Sequence, residues 1–323
     1  VNARTDSHWL AAAAALAERA RPLSAPNPAV GAVIVRDGIV LGRGWTMPGG
    51  RPHAEAMALA QAGAAARGAT LYVTLEPCAH ASLRGPSCAD SVLAAGLARV
   101  VAGVEDPDPR TAGKGLAALD RAGIAVRCPD DATCRASLAG YLAQRMLGRP
   151  FVTLKLALSL DGCIALADGQ SQWITGDAAR AHCHRERARH DAIVVGGGTL
   201  RADAPRLDVR LPGLGDRSPR QLVLTRHSAP SGWSALGAPA AIADLADVQY
   251  LFVEGGASAA AAFLQADLVD RLLLYRAPIL LGGGTPALAD IGLGTLAEAH
   301  GRWQATDRRR LGTDSLEIFI RTR

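Results

Sequence analysis

Apolar and polar positions along the chain fall into two successive series of strands and helices. Residues 6–20 carry apolar side chains at helical spacing, with Asp6 or Ser7 as the N-cap and Pro22 just past the end. The period then shortens: G-A-V-I-V and I-V-L-G-R-G-W, separated by Arg36-Asp37-Gly38, predict a β-hairpin closed by the Asp-Gly turn. Residues 53–67, rich in alanine, predict a helix with His53 and Glu55 in its first turn. A-T-L-Y-V-T-L (69–75) is a buried strand ended by Glu76-Pro77-Cys78, and Cys88 opens the next helix, which runs to about residue 96. A further strand (A-R-V-V-A-G-V), a loop over 105–115, a helix-turn-strand and a helix over 133–146 bring the chain to Gly148-Arg149-Pro150.

The second series begins with F-V-T-L-K-L-A-L-S-L-D-G (151–162), a strand in which Lys155 interrupts an apolar run. A lysine inside a buried strand needs a partner, whereas one on an edge strand does not. S-Q-W-I-T-G (171–176) precedes a helix rich in Arg and His, and D-A-I-V-V-G-G-G-T runs from strand into a glycine turn whose amides could approach a phosphate. Q-L-V-L-T (221–225) and Y-L-F-V-E-G-G supply two more strands, the latter leading into a helix start, and L-L-L-Y-R-A-P and L-E-I-F-I-R add strands in hairpin style. Alternating β and α elements over 323 residues predict an α/β protein of two domains, 1–147 and 148–323, with helices covering both faces of a sheet in the first.

Composition changes this picture in few places. A formal charge of +5 raises nucleic acid as a partner, but both signs are interspersed and the aromatics, 4% of residues, do not alternate with basic ones. An anionic phosphate on a small molecule suits the arginines better. The six cysteines show no disulfide framework, since Cys128, Cys134, Cys163 and Cys183 are scattered without paired spacing. With no leader-like N-terminus and no apolar run of roughly 18 residues, the sequence predicts a cytoplasmic protein without a membrane span.

The chemistry concentrates in P-H-A-E-A (52–56) and E-P-C-A-H-A-S-L-R-G-P-S-C (76–88). His53, Cys78 and Cys88 offer one imidazole and two thiols, a zinc ligand set that leaves a fourth position for water. A lone His or Cys is more often structural; three of them in this order, with Glu55 two residues after the histidine, point to metal. Zinc lowers the pKa of bound water towards 7, and a carboxylate beside that water can shuttle its proton, the arrangement of nucleobase deaminases. Glu55 is the candidate shuttle. Glu76 competes, but it precedes Pro77 at a strand end, where it is better placed to order the ligand loop. Asn27, between two prolines, reads equally as a turn residue.

A-P-N-P-A-V-G-A-V-I-V, H-A-E, L-Y-V-T-L-E-P-C and E-D-P-D-P-R-T-A-G-K-G resemble the N-terminal half of the bifunctional riboflavin-biosynthesis deaminase–reductase family. L-K-L-A-L-S-L-D-G, S-Q-W-I-T, V-G-G-G-T-L-R-A-D-A-P-R-L-D-V-R and V-E-G-G resemble its C-terminal half. The resemblance covers nearly the whole chain. It implies a cytidine-deaminase-like three-layer α/β/α domain followed by a dihydrofolate-reductase-like α/β domain, with Zn2+ and NADPH as cofactors. The implied reactions are deamination of 2,5-diamino-6-ribosylamino-4(3H)-pyrimidinone 5′-phosphate and reduction of its ribosyl group. By position, Asn27 and His80 would contact the pyrimidine or its phosphoribosyl group. Ala157, Trp173, Thr199, Asp203 and Gly256 would contact NADPH, and Ser171, Arg187, Leu207, Arg210 and Glu254 would hold the substrate together with Lys155. Lys155 and Asp203 are the implied catalytic groups of the reduction. A homo-oligomer is expected.

Two departures stand out. The family commonly has H-H-G-R-T-P-P-C after the first cysteine, whereas this chain is one residue longer there, which alters the substrate-contacting loop. Between Thr225 and Val248 roughly one β-α unit is expected to be missing, a unit that commonly carries part of the adenosine site. Arg226 would then meet the cofactor 2′-phosphate or be an ordinary surface arginine. Two other readings follow: a deaminase whose shortened second half is a non-catalytic binding or oligomerisation module, and an RNA-editing deaminase using the Arg-rich surface.

Overall fold

The computed structural model of the chain describes residues 3–80 and 85–323. The chain divides into two compact units, Val1–Gly148 and Arg149–Arg323.

In the first unit, strands β1 (Gly31–Arg36), β2 (Ile39–Trp45), β3 (Thr70–Leu75), β4 (Arg99–Val104) and β5 (Ala125–Arg127) form a sheet in the order β2-β1-β3-β4-β5. β1 runs antiparallel to β2 and β3, and β3, β4 and β5 are mutually parallel. The β1–β2 turn places Asp37 at φ 52° and Gly38 at φ 77°, the left-handed pair that a two-residue hairpin requires. Around the sheet lie α1 (Ala3–Ala17), α2 (Ala54–Ala62), α3 (Cys88–Ala95), α4 (Lys114–Arg121), α5 (Ala132–Ser137) and α6 (Ala139–Leu147). Small side chains set the spacing between layers. A Cβ on Gly42 or Gly44 would stand 2.1 Å from the carbonyl oxygen of Ala58 or Ala54, so β2 lies directly against α2 and fixes the depth of the helix that carries Glu55.

The helix expected over 53–67 ends at Ala62 and tightens into a 3₁₀ turn, Gly63–Ala66, with His53 as its N-cap in extended conformation rather than inside the first turn. The helix expected over 133–146 is two helices, broken at Leu138. A buried network joins the first helix to the sheet: the Asp6 carboxylate accepts two bonds of 2.8 Å from Arg99, one of 2.5 Å from Arg127 and one of 3.3 Å from the Tyr72 hydroxyl. The Arg99 guanidinium beside it, supported by Arg127, holds Asp6 below the usual carboxylate range.

In the second unit, β6 (Phe151–Leu158), β8 (Ala192–Gly196), β9 (Arg220–Leu224), β10 (Ser234–Leu236), β11 (Tyr250–Val253), β12 (Arg271–Arg276), β14 (Trp303–Leu311) and β15 (Asp314–Arg321) build a sheet in the order β10-β9-β8-β11-β6-β12-β15-β14. The first six are parallel, and β14 and β15 form an antiparallel hairpin appended to β12. A two-stranded ribbon, β7 (Cys163–Ala165) with β13 (Thr285–Pro286), stands apart from it. Helices α7 (Asp177–Arg187), α8 (Gly197–Asp203) and α9 (Ala257–Gln265) complete the unit. β6 lies between β11 and β12, so Lys155 is not on an edge strand.

The segment 226–248, expected to be shortened, still holds a short strand and a turn. β10 is present as a three-residue strand parallel to β9, while the 3₁₀ segment Pro239–Asp244 occupies the link from β10 to β11. Leu236 and Ile242 are buried in the core, which lets so short a strand and turn close that edge. The glycine turn after β8 is also not a free loop, because Gly197 and Gly198 are the first residues of α8.

Candidate active sites

The first site gathers where α2, the end of β3 and the start of α3 converge. His53 caps α2, Cys78 follows β3, and Cys88 is the first residue of α3, whose N-cap Ser87 accepts from the Asp90 N–H. His53 Nδ1 lies 3.2 Å from Cys88 Sγ and 3.8 Å from Cys78 Sγ, and the three ligand atoms lie within 4.8 Å of one another. Zn–S bonds of about 2.3 Å and a Zn–N bond of about 2.0 Å in a tetrahedron separate such atoms by roughly 3.5–3.8 Å. The donors therefore fit zinc in both spacing and chemistry. Hydrogen bonds from Cys88 and then His53 hold the Cys78 thiol down to about 4, so a thiolate is available as ligand. Glu55, only 3% exposed, interacts with His53 and Cys88 from the first turn of α2. Burial raises its carboxyl above the usual range, which suits a group that must take up and return a proton.

Glu76 faces away from that role. Its carboxylate accepts backbone N–H bonds from Asp106 at 3.2 Å, Gly113 at 2.9 Å, Gly115 at 2.9 Å and Leu116 at 3.2 Å, tying the loop after β4 to the residue before Pro77. Gly115 is required there, because a Cβ would stand 2.0 Å from the Pro77 carbonyl oxygen. His80 is half-buried with Nδ1 3.5 Å from the Thr111 hydroxyl, which brings the same loop beside the ligand segment. Asn27 Nδ2 donates to the Gly50 carbonyl at 2.9 Å, bracing the segment that leads to His53. Residues 81–84, within the loop expected to contact substrate, lie outside the described residues.

The second site is a cleft of about 920 Å³ along the C-terminal ends of the parallel strands. There α/β sheets commonly bind ligands. It brings together Lys155, Ala157, Ser171, Trp173, Arg187, Thr199, Asp203, Leu207, Arg210, Glu254 and Gly256. Strand register explains the centre: Val253 of β11 pairs with Leu154 of β6, so Glu254 and Lys155 follow side by side. Lys155 Nζ stands 3.7 Å from Glu254 Oε2. Arg187 reaches the same carboxylate from α7, Nε to Oε1 at 2.6 Å and Nη2 to Oε2 at 3.0 Å. Burial alone would raise the Glu254 carboxyl, but Arg187 and Lys155 outweigh it and hold the group down to about 2. Thr199 Oγ1 accepts from the Gly256 N–H at 3.2 Å, joining α8 to the turn after β11. Asp203 ends α8, exposed to the cleft.

Sequence reading missed Arg180, Cys183, His184 and Arg206, which also line this cleft. The first three were detectable in principle, since Arg180 and His184, like Cys183 and Arg187, are four apart on a helix and so share a face. Arg180 lies 5.0 Å from the Trp173 ring centroid, as a cation over its face. Arg226 is exposed beyond β9 and is not among the lining residues.

Fold and sites, together with family matches over residues 3–104 and 150–315, define a two-enzyme chain: a zinc-dependent hydrolytic deaminase of cytidine-deaminase-like architecture joined to an NADPH-dependent reductase. Residues 3–104 match the cytidine and deoxycytidylate deaminase zinc-binding region, and residues 150–315 match the RibD C-terminal domain. The riboflavin biosynthesis protein RibD of Escherichia coli K12 is 37% identical, over 96% of this chain and 97% of its own. RibD of Mycobacterium tuberculosis H37Rv is 40% identical over 91% of each. Among solved structures, Acinetobacter baumannii RibD superposes with a TM-score of 0.84 at 34% identity, covering 99% of both chains. The diaminohydroxyphosphoribosylaminopyrimidine deaminase/5-amino-6-(5-phosphoribosylamino)uracil reductase of Thermotoga maritima gives 0.86 at 28% identity over 99% of both. The chain belongs to the RibD family of bifunctional riboflavin biosynthesis enzymes. No helix among the described residues is long and apolar enough to cross a membrane.

Proposed function

We propose that the first site deaminates 2,5-diamino-6-ribosylamino-4(3H)-pyrimidinone 5′-phosphate and that the second reduces the ribosylamino group of the product to ribitylamino. The observation that carries this reading is the coexistence, in one chain of the RibD family, of a His-Cys-Cys-Glu cluster and a cleft lined by Lys155, Asp203, Arg187 and Arg210. The two activities for which the Thermotoga relative is named support the choice of substrate.

His53, Cys78 and Cys88 would hold the zinc, which supplies a Lewis acid that makes water nucleophilic near neutral pH. Glu55 takes one proton from the attacking water and passes it to the ring nitrogen, then takes the second from the hydroxyl now on carbon and gives it to the departing amine, so that a C–O bond forms, the C–N bond breaks and ammonia leaves. Asn27 and His80 would orient the pyrimidine or its phosphoribosyl group.

In the cleft, Ala157, Trp173, Thr199, Asp203 and Gly256 would hold NADPH, which supplies the hydride. Ser171, Leu207, Arg187, Arg210 and Glu254 form the substrate side, with the arginines towards the phosphate. Opening of the ribose ring breaks the bond from C1′ to the ring oxygen. Lys155 and Asp203, both lining the cleft, would deliver the proton which that oxygen takes up as hydride reaches C1′. We also infer a cytoplasmic, homo-oligomeric enzyme; its cysteines stand free of disulfides, as suits a reducing compartment.

An order-of-addition experiment tests the scheme. Mixing protein, NADPH and the diamino substrate should release ammonia before any NADPH is oxidised, with one equivalent of each at completion. NADPH oxidation that runs ahead of ammonia release would contradict the assigned order.

A further inference from the structure

We propose that Asp208 is an internal counter-anion of the reductase cleft: its carboxylate sits against Arg206 and Arg210, gives way when the substrate phosphate enters, and so weakens phosphate binding. This rests on the reading of the cleft given above, in which Arg210 faces the phosphate.

Local sequence sets the arrangement. In R-L-D-V-R (206–210), Leu207 is 3% exposed and Val209 5%, whereas Arg206 and Arg210 are exposed and line the cleft. The apolar pair is drawn inward, which leaves the three charged residues on the other side. Backbone groups anchor this segment without help from the Asp208 side chain. The Val209 N–H donates to Ser218 Oγ at 2.9 Å, Gln221 Nε2 donates to the Arg206 carbonyl, and the Asp208 carbonyl accepts from Arg187 Nη1 at 3.0 Å.

The carboxylate itself meets both exposed arginines. Oδ2 lies 3.1 Å from Arg206 Nη2, and Oδ1 lies 3.3 Å from Arg210 Nη1. The Arg210 contact is one of charge alone, because Oδ1 is shut off from water and takes no hydrogen bond. Glu254 already balances Arg187, so Asp208 is the carboxylate set against the remaining two guanidinium groups. Ion pairs this exposed add little to stability, and they open at small cost. A phosphate offers each arginine aligned acceptors that Asp208 does not, and it replaces the carboxylate as partner. Asp208 stays close by and repels the incoming charge. The uncharged pyrimidine feels no such force.

The test compares wild-type protein with Asp208→Asn. Three constants are read from NADPH oxidation: the inhibition constant of inorganic phosphate competing with the pyrimidine, KM for the deaminated pyrimidine phosphate, and the inhibition constant of the same pyrimidine without its phosphate. The amide should lower the first two roughly 3–10-fold and leave the third unchanged. A rise in the phosphate constant would mean that the carboxylate orients the arginines for the ligand, and an unchanged one that it never meets the phosphate; either result overturns the proposal. So would equal tightening of the pyrimidine that lacks phosphate, the mark of a general change in the cleft. If Asp208→Asn does not fold, Asp208→Ser is read in the same way, and failure of both to fold would make the carboxylate structural and the proposal wrong. Wild-type protein that inorganic phosphate does not inhibit, and that turns over the pyrimidine equally well without its phosphate, would instead sink the phosphate assignment of the cleft itself.

Discussion

Glu55→Gln is expected to abolish ammonia release, by about 10²–10⁴-fold or more, while leaving NADPH oxidation on pre-deaminated substrate unchanged. The amide is nearly isosteric and stays within the first turn of α2, so packing against β2 and the three ligand atoms should survive. What is lost is a group that can accept and return protons beside the metal. Burial lifts the Glu55 carboxyl above its usual range, and a neutral amide avoids the cost of burying a charge. Zinc content at the wild-type level, with ammonia release lost, separates this outcome from collapse of the cluster. Retention of ammonia release would remove Glu55 from the mechanism.

Lys155→Met should produce the mirror image: a fall of roughly 10²–10⁴-fold in kcat for NADPH oxidation with ammonia release intact. Methionine keeps an unbranched apolar stem in the middle of β6, and Glu254 retains its two bonds to Arg187, so no carboxylate is left buried without a partner. The function removed would be the proton delivery to the opening ribose ring proposed for Lys155. A rise in KM with kcat unchanged would instead make Lys155 a binding group, since an interaction equal in ground and transition states alters KM alone.

Much of the fold was legible because local signals and tertiary structure agreed. Asp37-Gly38 fixed a hairpin, and the period of 69–75 marked a buried strand. The zinc ligands were legible for a similar reason: each stands at an element boundary, His53 before a helix, Cys78 after a strand and Cys88 at a helix start. Less visible were contacts that depend on register between distant segments. Lys155 called for a partner, but that the partner is Glu254 follows only from the pairing of β11 with β6. Asp6 looked like a helix cap, yet it is buried beneath Arg99 and Arg127, which lie 93 and 121 residues away. Two helix ends differ from the expectation for different reasons: α2 stops at Gly63, a C-cap glycine inside an otherwise alanine-rich run, whereas the helix near 138 breaks without glycine or proline. β10 escaped notice because three residues carry too little periodicity to register as a strand.

The central claim is that one chain holds two separate chemistries, of which only the first needs metal. The most direct test is to strip metal with a chelator, then follow ammonia release and NADPH oxidation separately on the same sample as zinc is restored. Ammonia release should vanish and return as one zinc per chain is bound, while NADPH oxidation on the deaminated pyrimidine continues throughout. Ammonia release that survives stripping, or NADPH oxidation that rises and falls with zinc in a protein that stays folded, would contradict the account.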